Sequence, residues 1–287
     1  MTLLDGAAIM VRTLFLNGDH QLRNGWWIAV FFLVLASILV PVLVVARQQG
    51  GDVSTLQQAG IIAVASVVCQ VVRRKPLAQL TGPLDGRWLQ EFVVGSIGGA
   101  ALMLVPALVL LIGGWVAWHR DATDVSALVP SLLLFAGGAL AEELLFRGFL
   151  FQRLIAGLGQ WPAQVLVAGY FLLTHLNNPG MTGGILMLAS VNIFLASILF
   201  GLAFVRTGSL AMPLGLHIMA NWMQGGVLGF GVSGERHQGV LEPIFGGHPA
   251  WLTGGPFGLE ASAPGLVVVV VTIVLLYRWA PAPGAPG

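Results

Sequence analysis

The chain is short of charge. Only 9% of its 287 residues are Asp, Glu, Lys or Arg, whereas 56% are hydrophobic and the mean hydropathy is +0.87. A soluble domain carries roughly a quarter charged residues, so an ordinary soluble fold is excluded. The net charge of +1 leaves no basic surplus to hold nucleic acid. There is one cysteine, Cys69, inside an apolar segment. It has no intrachain disulfide partner, and alone it makes a poor metal site. It reads as a small buried or lipid-facing residue. The HExxH zinc motif is missing. The first apolar segment, Trp26 to Ala46, is too long for a signal-peptide core and lacks a small-residue cleavage pattern. It reads as a retained helix. Thr2 follows the initiating Met, so there is no myristoylation signal.

What the chain has is long apolar runs. Eight are candidate spans: about 26–46, 56–72, 91–115, 128–151, 161–177, 184–205, 209–231 and 264–280. Crossing a bilayer takes roughly 20 mostly apolar residues. In lipid such runs must be helical, because backbone groups cannot go unpaired there. The expected fold is therefore all-α, a polytopic membrane helical bundle of about eight transmembrane helices. Its parts are a cytoplasmic N-terminal segment (1–25), three N-terminal transmembrane helices (26–127), a central core (128–231), a Gly/Pro-rich extracytoplasmic loop lying on the bilayer surface (232–263), and a last helix with a short tail (264–287). The tail PAPGAPG cannot continue a helix and reads as disordered.

Basic residues set the expected orientation. With a cytoplasmic N-terminus, the cytoplasmic segments hold Arg12, Arg23, Arg73, Arg74, Lys75, Arg87, Arg147, Arg153, Arg206 and Arg278, against Arg47, Arg120 and Arg236 on the other side. Both termini are thus expected in the cytoplasm. The Ala/Gly/Val/Leu-rich composition with few Lys looks bacterial, so the expected location is a cell inner (cytoplasmic) membrane.

Within the spans, polar side chains are rare and therefore informative. Glu142 and Glu143 lie side by side in the apolar run LVPSLLLFAGGALAEELLFRGFLF, with Arg147 one turn on. Glu143 and Arg147 are spaced i, i+4 and can pair. Glu142 points about 100° away around the helix and can face a cavity as a general acid or base. His175 ends the fifth span, four residues after Phe171. His217 and Asn221 share one face of the seventh span, two hydrogen-bond donors suited to a developing oxyanion. Asn192 could line the same space, although helix packing explains it as well. Depth along each helix lets Glu142, His175 and His217 converge on one cavity, expected to open to the cytoplasm.

Glu142-Glu143-x-x-x-Arg147, Phe171-x-x-x-His175 and His217-x-x-x-Asn221 occur in this order on three helices. With the phrases EELLFRG and RTGSLAMPLGLH, residues 128–225 resemble the type II CAAX prenyl endopeptidases and their bacterial relatives, the CAAX protease and bacteriocin-processing (ABI) family. The resemblance implies an intramembrane endopeptidase. Glu142 would activate water with help from His175, His217 and Asn221 would hold the oxyanion, and Glu143 and Arg147 would orient the site. A divalent metal such as zinc stays open, with Glu142, His175 and His217 as candidate ligands. The reading leans to water activation without metal. The partners implied are the lipid bilayer and a membrane-associated protein or peptide substrate, with no oligomeric state indicated. The competing readings are a proton-coupled transporter and a non-catalytic membrane scaffold or bacteriocin-immunity protein. The first is disfavoured by the lack of internal symmetry, the second by the intact motif set.

Overall fold

The structure is a computed structural model that describes residues 13–120 and 128–279. Residues 1–12, with Arg12, and the C-terminal tail from 280 lie outside the described residues, so the expectations for them are not addressed. The molecule is an all-α bundle with one small sheet at one end. Its main helices are α1 (Asn24–Gln48), α2 (Thr55–Val72), α3 (Gly86–Ile112), α4 (Leu128–Glu143), α5 (Leu150–Leu158), α6 (Gln160–His175), α7 (Gly183–Thr207), α8 (Ala211–Asn221) and α9 (Ala263–Arg278).

Local sequence explains several boundaries. Ser54 and Gln57 form a reciprocal capping box at the start of α2. Asp85 caps α3 through the Trp88 amide. Gly159, at φ +88°, breaks α5 from α6, a backbone position that a side chain would strain. Helices α4 and α8 do not end abruptly. Each runs into a wider π turn, Leu144–Phe149 and Trp222–Val227. The first contains a non-helical Gly148 that kinks the chain into α5.

Among the described residues, five helices are long and apolar enough to cross a membrane: Asn24–Gln48, Thr55–Val72, Ala78–Ile112, Leu128–Leu158 and Gly183–Thr207. The apolar α9 is shorter. The helices bearing His175 and His217 have 16 and 11 residues, and length alone does not qualify them as spans. Many large apolar side chains face outward, among them Leu33 (71% exposed), Ile97 (67%) and Ile112 (85%). In water so much exposed apolar surface would drive aggregation; in a bilayer it is the solvated face. The chain is a multi-pass membrane protein.

Lipid gives helices no hydrophobic drive to associate, so close packing must hold them. The contact of α3 with α8 shows how. A Cβ on Gly95 would lie 2.3 Å from the Met212 carbonyl oxygen, one on Gly99 2.2 Å from that of Leu216, and one on Gly215 2.3 Å from that of Phe92. The two backbones touch where only glycine fits. This contact fixes α8, and with it His217.

The segment 232–263 departs from expectation. Rather than only lying on the bilayer surface, it folds into the end of the bundle. Phe257, Leu259 and Ala261 are buried, because they supply the apolar plug that the short α8 leaves room for. Leu241–Ile244 pairs antiparallel with Ala117–Arg120, a sheet that an all-α expectation omitted. The Trp118 indole donates to the Leu228 carbonyl and ties this sheet to the end of α8's π turn.

Gly99→Val is expected to lower the thermal midpoint of the purified protein, at a cost of about 1–3 kcal/mol or more for overpacking against backbone. Gly60→Ala, where an added Cβ meets nothing within 4 Å, is expected to leave it unchanged or slightly raised. Differential scanning fluorimetry in detergent reads both.

Candidate active site

The two adjacent acids leave α4 in different directions. Glu143 is fully buried, and so is Arg147. Arg147 Nη1 donates to Glu143 Oε1 at 3.1 Å, while Nη2 donates to the Ser197 carbonyl (3.0 Å) and Oγ (2.8 Å) on α7. The guanidinium also lies 5.8, 5.1 and 5.3 Å from the ring centres of Phe146, Phe171 and Phe200. Aromatic faces help to replace the water that this cation has lost.

Glu143 has a second partner that the sequence did not reveal. His217 Nδ1 lies 2.9 Å from the same Oε1. The contact joins α4 to α8 and bridges 74 positions of chain. The His217 ring stacks on Phe200, centroid to centroid 4.7 Å and 15° between planes. Its orientation is thus fixed on one edge and one face, and Nε2 is the nitrogen left to the cavity.

Glu142 is the exposed member of the pair, its side chain 34% accessible. One carboxylate oxygen lies 3.9 Å from His175 Nε2 and the other 3.6 Å from His217 Nε2. His175 Nδ1 is 2.7 Å from the Phe171 carbonyl oxygen. A carbonyl only accepts, so Nδ1 carries the proton and Nε2 is turned to Glu142. Two imidazoles therefore present their Nε2 atoms to one carboxylate.

These groups line a cavity of about 370 Å³, to which Asn221 and Asn192 also contribute. The structure thus brings Glu142, His175, His217 and Asn221 to one space and puts Glu143 and Arg147 behind its wall. Among the described residues, no group of three or more His, Cys, Asp or Glu side chains is arranged to hold a metal ion.

Residues 124–223 match the family model described as type II CAAX prenyl endopeptidase Rce1-like. The central segment is thus similar to that family. The match spans all three motifs and covers about a third of the chain. A search of curated proteins finds no match. The matched segment supplies α4 with the π turn that follows it, α6, α7 and α8, and these carry every side chain named above.

Three features of the cavity were not foreseen. It is also lined by Ser233, Glu235, His237 and Glu260 from the 228–262 connection. Glu260 Oε2 accepts from the Ser233 amide (2.8 Å) and hydroxyl (3.0 Å). Ser233 has φ +49°, a left-handed conformation uncommon outside glycine, and Glu260 holds it there. Burial pushes the Glu260 carboxyl above the usual carboxylate range, while the hydrogen bonds from Ser233 and the nearby His175 and His217 act the other way. In sequence, Glu260 sat in a Gly/Pro-rich loop and carried no signal.

The cavity lining also extends toward one end of the bundle. It runs to Thr55, Asn178 and the 232–237 turn. These belong to the end of the bundle that bears Arg47 and Arg236, opposite the end of Arg73, Arg153 and Arg206. The lining therefore extends toward the end that the basic residues place outside the cytoplasm.

Glu260→Ala is expected to raise amide exchange across residues 228–262, because two hydrogen bonds to a charged acceptor, worth roughly 1.5–3 kcal/mol each, are lost. Glu260→Gln keeps an acceptor oxygen and is expected to restore most of the protection. Hydrogen–deuterium exchange mass spectrometry checks both.

Proposed function

We propose that the protein is an intramembrane endopeptidase of CAAX-processing type, acting on a membrane-associated protein or peptide. The observation that carries this reading is the carboxylate of Glu142 flanked by two imidazole Nε2 atoms at 3.6 and 3.9 Å in a partly enclosed cavity. The Rce1-like match supports it at the level of a protease.

In the proposed reaction, Glu142 takes a proton from water while His175 Nε2 helps to align it. The hydroxide oxygen bonds to the scissile carbonyl carbon, and the carbonyl oxygen gains the negative charge. His217, as an imidazolium donating from Nε2, and the Asn221 amide stabilise that oxyanion. Collapse breaks the C–N bond, and the proton held by the Glu142–His175 pair passes to the leaving amine. Glu143 and Arg147 position the site: Glu143 holds the Nδ1 edge of His217, and Arg147 holds Glu143 against α7. Partial exclusion of bulk water strengthens each of these electrostatic contacts. The proposal contains no metal step.

Glu142→Ala and His175→Ala are expected to reduce turnover about 10²–10⁴-fold, the usual worth of general acid–base groups. Asn221→Ala is expected to cost about 10²–10³-fold in kcat with little change in KM, as for loss of one oxyanion donor. Proteomic comparison of cells bearing wild type or Glu142→Ala supplies the substrate, and its purified precursor the assay. Normal processing by both the Glu142 and His175 variants would remove the proposal. Turnover is expected to survive exhaustive treatment with a zinc chelator; loss restored by added zinc would instead make the enzyme a metallopeptidase.

A further inference from the structure

The bundle carries a second large cavity, at the end opposite the 232–237 turn. It measures about 870 Å³ and is walled by the start of α1, the end of α2 and α5. Four cations face it: Arg23, Arg73, Lys75 and Arg153. No Asp or Glu contributes to its wall. Among the described residues none of the four cations forms an ion pair with a carboxylate.

Like charges are costly to gather, and the cost is highest where water is scarce. Here two guanidiniums are held by apolar rings. Arg73 lies 5.7 Å from the ring centres of both Trp27 and Phe149, and Arg153 lies 5.7 Å from that of Phe149. Arg153 Nη1 donates only to the neutral Asn24 side chain, at 3.3 Å. Its Nε is buried with no hydrogen-bond partner. Arg73 Nη1 donates to the neutral Gln70 side chain, at 3.0 Å, so two arginines over one ring, one with an orphan donor, meet only uncharged acceptors. Planar guanidiniums in such an arrangement match a phosphate, which accepts bidentate hydrogen bonds and cancels more than one charge.

We propose that this cavity binds a phosphate-bearing anion, supplied by the headgroup of an anionic phospholipid. Its position favours that source. Trp26 and Trp27 form part of the wall, and such rings settle at the membrane–water boundary. Leu158, which lines the cavity, is 54% exposed and offers an apolar contact for an acyl chain. Basic pockets between helices near a charged leaflet bind acidic headgroups in this way. The same chemistry would admit free phosphate, and the two sources are separable.

The test is native mass spectrometry of the full chain in detergent, offered phosphatidylglycerol or phosphatidylcholine, with inorganic phosphate as competitor. Phosphatidylglycerol is expected to be retained in preference to phosphatidylcholine. The Arg73→Gln/Arg153→Gln double variant is expected to weaken its retention about tenfold or more, at roughly one charge's worth of binding per residue. Lys75→Glu, at an exposed position, should weaken it as well. Arg278→Gln, exposed at the same end but outside the cavity, should not. Phosphatidylglycerol retained against excess inorganic phosphate supports the lipid source; its displacement by phosphate assigns the site to free phosphate and overturns that source. Equal retention of both lipids, or retention untouched by both the double variant and Lys75→Glu, overturns the site itself.

Discussion

A carboxylate and a guanidinium shut away from water must satisfy each other or be satisfied by their surroundings, because either one left alone inside the bundle would cost several kcal/mol. Glu143 and Arg147 are both at zero exposure, and the centre of the molecule is arranged around that requirement. Arg147 reaches Glu143 on its own turn, Ser197 on α7, and three aromatic rings. Glu143 in turn reaches His217 on α8. One ion pair therefore binds three helices at a common depth. In a bilayer this is a strong form of attachment, since water is not available as a substitute partner.

The same pair frees its neighbour. Because Glu143 takes the contacts with Arg147 and His217 Nδ1, Glu142 is left facing the cavity with both oxygens near an imidazole Nε2. On the proposed reading, structure and chemistry are thereby divided between adjacent residues. The glycine contact of α3 with α8 serves this division from behind, by setting how far His217 can approach α4. The loop that returns across the cavity supplies Glu260 and Ser233 as part of its wall.

Much of this was legible in the chain before folding. Apolar runs and a helical period place the helices, and the i, i+4 spacing of Glu143 and Arg147 announces their contact. The convergence of Glu142, His175, His217 and Asn221 followed from motif order and depth. What was hidden depends on contacts distant in sequence. Nothing local indicates that His217 meets Glu143 rather than only Glu142. The π turns after Glu143 and Asn221 have no compositional mark beyond glycines at 148, 225 and 226. Glu260 lay in a loop whose composition pointed to the surface.

The central claim is that the adjacent acids do different work, Glu143 holding the bundle together and Glu142 facing the reaction. The most direct measurement is the thermal midpoint of Glu143→Gln beside that of Glu142→Gln, each purified in the same detergent. Breaking a buried pair from one side costs about 3–5 kcal/mol, so Glu143→Gln is predicted to lose many degrees. Glu142→Gln, at a partly exposed position with no short hydrogen bond to lose, is predicted to match the wild type. Equal midpoints for the two variants, or the larger loss in Glu142→Gln, would contradict the account.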